Sequence, residues 1–83
     1  LNKNLLILGA GGHGRVVKET AVAMDYFARI DFLDDNSDTE IGKCNDYKKF
    51  INGYNYAFVA FGSNELRLKW IEELMEAGFR FHF

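Results

Sequence analysis

The chain has no proline and a single cysteine, and none of its apolar runs approaches the roughly 18 residues needed to span a bilayer. A lone Cys44 excludes an internal disulfide framework and a cysteine-rich zinc site, and it fits a reducing, cytoplasmic setting. Positive charge is not in excess either. Ten Lys and Arg stand against twelve Asp and Glu, for a net charge of -2, and no segment gathers basic residues on one face. Nucleic acid is therefore disfavoured as a principal partner, because affinity for a phosphate backbone needs clustered cations. The start, Leu1 to Asn4, lacks a signal-peptide layout. There is no initiating Met, and the end falls inside an apolar alternation, Phe79, Phe81, Phe83, so the chain is expected to be a piece of a longer protein.

What is present is a folding composition. Apolar residues make up 48% of the 83 positions, with eight Gly and eight Phe, enough for one small globular domain over 1–83. At this length about 60% of the unfolded chain's surface can be buried, which supports a single core of modest stability.

Leu5-Leu6-Ile7-Leu8 is a continuous apolar run stopped by glycine, the pattern of a strand buried on both faces. From Gly14 to about Phe27, the residues Val16, Val17, Thr20, Ala21, Met24 and Phe27 recur at helical spacing. A second strand is predicted from Arg29 to Leu33, closing on Asp34-Asp35, and 35–45 reads as a polar loop. Asp46 is placed to cap a short helix with Tyr47, Phe50 and Ile51 inward and Gly53 as its stop. Tyr56 to Phe61 reads as a third strand. Ser63 or Asn64 then caps a helix facing inward through Leu66, Trp70, Ile71, Leu74 and Met75 and ending at Gly78. Phe79, Phe81 and Phe83 alternate with Arg80 and His82 as a fourth strand would, with His82 outward.

This alternation predicts an α/β fold, a small Rossmann-like parallel sheet of about four strands with helices on both faces. Right-handed crossovers put the first strand between the second and third, and ligands in such sheets sit beyond the carboxyl ends of the strands, where the winding reverses.

Gly9-Ala10-Gly11-Gly12-His13-Gly14 satisfies G-x-G-x-x-G directly after a strand and before a helix. Gly9 permits the turn, Gly11 and Gly12 let main-chain amides approach a ligand, and Gly14 allows close helix-strand packing. Free amides at the helix start, reinforced by its dipole, can hold a diphosphate. The competing reading is a glycine turn that only packs the helix. Asp34 and Asp35, at the lip of the same crevice, can accept hydrogen bonds from ribose or a base, or stand as two solvated loop acids. Asp34, Asn36 and Asp38 imitate a calcium loop, but Thr39 occupies its glycine position and Asn45 its glutamate position, so that reading is rejected. The dipole keeps His13, in the first turn, neutral, and able to donate to a phosphate or sugar oxygen or only to nearby backbone. Cys44 falls in the polar loop without a partner, Ser63 fits a cap, and Trp70 and the phenylalanines fit the core, so no catalytic constellation emerges.

LLILGAGGHGRVVKE, FLDD, AFVAFGSNELRLKWIEEL and EAGFRF together resemble the N-terminal domain of bacterial sugar acyltransferases, the UDP-4-amino-sugar N-acetyltransferase and sialic acid O-acetyltransferase family. The resemblance covers nearly the whole chain. It implies a domain that binds a UDP-linked amino sugar, with Gly11, Gly12 and His13 on the diphosphate and sugar, Asp34 and Asp35 on the uridine, and Gly62 across the crevice. It also implies a following left-handed β-helix that binds acetyl-CoA as co-substrate, supplies the catalytic His and forms a homotrimer, while this domain binds no cofactor of its own. Two other readings compete: an NAD-binding half of an oxidoreductase, or a ligand-sensing module without chemistry.

Overall fold

The computed structural model describes residues 2–36 and 40–81. Its elements are β1 (Asn4–Leu8), α1 (Gly12–Ala23), β2 (Arg29–Leu33), a 3-10 helix (Cys44–Phe50), β3 (Tyr56–Val59) and α2 (Asn64–Glu76). The three strands form a parallel sheet in the order β2-β1-β3, with Leu5 opposite both Ile30 and Tyr56. The first strand is thus central, as the crossover rule demands.

Strand periodicity divides the core. Leu5 and Ile7 face α1, where they pack with Val17, Ala21, Phe32 and Ala60. Leu6 and Leu8 face the other layer with Leu33, Tyr47, Val59, Leu74 and Phe79. Helices therefore cover both faces, and full burial of each Leu contributes at most about 1.5–3 kcal/mol. Trp70 packs edge-on against Tyr47 and Phe61, with ring centroids 5.8 and 6.2 Å apart. Among the described residues no helix is long and apolar enough to cross a membrane.

Several expectations need correction. The sheet has three strands rather than about four: after α2, Arg80 makes one parallel bridge to Tyr56, and Phe81 already lies outside a strand. His82 and Phe83, like Asp38, lie outside the described residues. Helix α1 begins two residues earlier and stops at Ala23, because Asp25 takes a left-handed conformation (φ 52°) and frees Tyr26 and Phe27 to pack on Tyr56. Its buried stripe is Gly14, Val17 and Ala21, with Val16 outside, since only the side chains over β1 find a partner. Strand β3 ends at Val59, where Ala60 N donates to Leu8 O as the chain turns away. In α2, Leu74 is buried and Trp70 and Ile71 half-buried, whereas Met75 is exposed.

Asp46 does not precede its helix. It lies in the first turn and accepts the Lys43 N–H at 2.9 Å, capping from within. Cys44 is not in the loop but starts the same helix, buried, with its thiol 3.7 Å from Leu33 O. Ser63 is the cap of α2, its hydroxyl accepting from Leu66 N at 3.3 Å.

Candidate functional site

Beyond the carboxyl ends of β1 and β2 the chain turns sharply. Gly9 sits at φ 105°, a conformation that side chains resist, and its N–H extends the ladder by donating to Leu33 O at 2.7 Å. A Cβ on Gly14 would stand 1.9 Å from Gly9 O, so only glycine lets α1 start this close to the strand. At Gly11 and Gly12 a Cβ would meet nothing within 4 Å. Packing therefore asks for glycine at Gly9 and Gly14, and asks for nothing at Gly11 and Gly12.

Hydrogen bonding repeats the division. Gly9 N and Ala10 N are satisfied, and Arg15 N donates to Gly11 O at 3.0 Å as the first bond of α1. Between them, the N–H groups of Gly11, Gly12, His13 and Gly14 meet no acceptor among the described residues. These are the open donors every helix start carries, here beside a cavity of about 350 Å³. Gly11, Gly12, His13, Asp34, Asp35, Asn36 and Cys44 line it, with Gly9, Ala60 and Phe61.

The structure thus gathers five of the six expected site residues around one hollow. Gly62 is not among its lining. It holds the turn into α2 at φ 78°, and a Cβ there would come within 2.7 Å of Leu66 Cδ2. Ala60 and Phe61, just before it, line the cavity instead; both lie at the carboxyl end of β3, where the topology rule already points. Asn36 and Cys44 are further additions, and Cys44 carries no sequence signal, because only the docking of the 3-10 helix brings it there.

The acids do more than border the cavity. Asp34 Oδ2 accepts the Ala10 N–H at 2.6 Å and Oδ1 the Asn36 N–H at 2.7 Å. The bond from Ala10, followed by that from Asn36, holds its carboxyl below the usual range. Asp35 is exposed, with Oδ1 accepting from Cys44 N at 2.9 Å. Burial, then the negative field of Asp35, pushes the Cys44 thiol up to about 12, so it is neutral at physiological pH and not poised as a nucleophile. Arg15 donates to Ala10 O at 3.2 Å and pairs with Glu40 at 3.0 Å, so this cation is already engaged. His13 is exposed in the first turn.

A larger groove of about 740 Å³ runs beside β3, between Phe58, Ile71, Phe79 and Phe81. It is mostly apolar and brings no set of polar groups together, so the smaller cavity is the chemically equipped one.

Comparison with known proteins bears on the fold and the family. Residues 4–74 match the PglD N-terminal domain. The fold also matches the acetyltransferase domain of PglB from Neisseria gonorrhoeae FA1090, solved in complex with acetyl coenzyme A, at 32% identity and a TM-score of 0.77. That match covers 96% of this chain and 42% of the other. A second structure of the same PglB domain matches at 31% identity and a TM-score of 0.76, covering 95% of this chain and again 42% of that one. The chain therefore spans less than half the length of the solved structures it matches. Motif, topology and these matches converge on one assignment: the chain belongs to the PglD N-terminal domain family.

Proposed function

We propose that this chain is the substrate-binding domain of an acetyl-CoA-dependent sugar N- or O-acetyltransferase of bacterial surface glycan synthesis, and that its cavity takes a UDP-linked amino sugar. The observation that carries this reading is the run of open donors from Gly11 to Gly14, set where side chains at Gly11 and Gly12 would meet only empty space. Main-chain amides at a helix start suit a diphosphate, because each donates to an anionic oxygen and the dipole adds to the attraction. The His13 ring can add a donor to a sugar or phosphate oxygen, and the exposed acid of Asp35 can accept from the nucleoside.

A cavity of about 350 Å³ lies at the low end of small-molecule sites, so only part of a nucleotide sugar would be enclosed. The rest would lie over the mouth, with the sugar's reacting group open to a second domain. Acetyl transfer requires the sugar amine or hydroxyl to attack the thioester carbonyl while a base removes its proton. The contribution of this chain is to hold the acceptor, lowering the entropic cost of that encounter. We assign the base, the acetyl-CoA site and homotrimer formation to the remainder of the intact, cytoplasmic enzyme.

Isothermal calorimetry with a UDP-linked 4-amino sugar tests the proposal, with NAD as control. Heat of binding to the sugar nucleotide and none to NAD is expected. No heat at millimolar UDP-sugar from a folded sample overturns it.

A further inference from the structure

Asp34 occupies a different position from its neighbour. Its two oxygens accept one main-chain N–H each, from Ala10 at 2.6 Å and Asn36 at 2.7 Å. Gly9 N is already fixed to Leu33 O at 2.7 Å, so two successive amides of the glycine turn are pinned to the end of β2. The next four, from Gly11 to Gly14, meet no acceptor among the described residues. An amide side chain could not replace this acid. It has one acceptor oxygen, and its NH2 would face a second N–H donor.

We propose, building on the nucleotide-sugar reading, that Asp34 is the positioning residue of the site: it sets the path of the glycine turn through Ala10 and acts on a ligand only through that turn. The uridine-facing role expected for the acidic pair then rests on Asp35 alone. The charges around Asp34 support its ionised form: Arg15 from α1 and Lys43 before the 3-10 helix both favour it. Asp35 follows it in the chain, and Glu40 is held by Arg15.

Nitrogen-15 NMR of the ligand-free protein from pH 7 down to about pH 1.5, well past the ordinary aspartate range, tests the brace without any ligand. The Ala10 and Asn36 amides should move together with a midpoint below the ordinary aspartate range. Asp34→Asn should abolish that shared transition, which ties it to this one carboxylate. Asp34→Asn should also shift the Gly11 to Gly14 amides before any ligand is added, and weaken UDP binding about tenfold. Asp35→Asn should weaken UDP binding while leaving those four amides in place. The proposal is overturned if Ala10 does not titrate with Asn36, or if Asp34→Asn weakens UDP binding with the Gly11 to Gly14 amides unmoved, the signature of direct contact. Should Asp34→Asn unfold, Asp34→Glu replaces it, keeping the charge one methylene out of register. If the wild type takes up no UDP, the nucleotide reading fails, and the ligand-free titration still decides the brace.

Discussion

The two ends of the sheet are built on opposite principles. At the amino end, side chains tie the segments to one another: Asn2 and Asn55 exchange main-chain to side-chain hydrogen bonds at 2.8 and 3.0 Å, and Asn4 Nδ2 donates to Gly53 O at 2.8 Å. Tyr54 donates to Asp31, which also pairs with Arg29, and the Tyr26 and Tyr56 hydroxyls meet at 2.5 Å beside Phe27. At the carboxyl end, glycines replace side chains and four N–H groups meet no acceptor among the described residues. Open donors cost little while water reaches them, but they contribute nothing to the fold. One end is spent on stability, and the other is left for an occupant.

The sharpest way to break this comparison lies within the glycine turn itself. Gly14→Ala drives a Cβ into Gly9 O, and a loss of at least about 3 kcal/mol is expected, seen as a melting temperature lower by roughly 10 °C or more. Gly12→Ala meets no protein atom within 4 Å, so its melting curve should hold or rise slightly while UDP affinity falls about tenfold by calorimetry. Equal destabilisation by both substitutions would erase the distinction between packing and open glycines. Tyr54→Phe, at the sealed end, should cost about 1 kcal/mol in urea unfolding and leave UDP affinity unchanged.

Acid and alkali should separate the ends by smaller amounts. Asp34 is held below the ordinary carboxylate range, so its contribution is complete above the unfolded value of about 3.9 and disappears as pH falls through the folded one. Burial, then the hydrogen bond to Asp31, pushes Tyr54 up to about 12, so its contribution is complete below the unfolded value near 10 and is lost as pH rises. Melting temperatures across pH should therefore show a shallower acid slope in Asp34→Asn, with Asp46 keeping a share, and a shallower alkaline slope in Tyr54→Phe, with Cys44 and Tyr56 keeping a share. Unchanged slopes in both variants would remove the electrostatic half of the comparison.

Much of this was legible in the chain because short-range chemistry dictates it. Leu5 to Leu8 followed by Gly9, and Ser63 before a helical period, mark their elements by residue type alone, and the central place of β1 follows from crossover handedness. The glycine motif announced the cavity for the same reason, since its spacing is itself a backbone shape. What stayed hidden depended on distant partners. Asp25 ends α1 in a left-handed turn although Phe27 continues the apolar pattern, because the rings of Tyr26 and Phe27 find Tyr56. Cys44 reads as polar loop until the 3-10 helix docks beneath Leu33. Asp34 reads like Asp35, and only its bonds to Ala10 and Asn36 tell the two apart.

The order β2-β1-β3 means that the glycine turn springs from the strand that, among the three described, has another on either side. Amide protons of Leu6 and Ile7 should consequently exchange with solvent only when the whole molecule opens, and the turn inherits an unmoving root. A guest settling there forfeits little freedom of the host, which leaves more of its contact energy to appear as affinity.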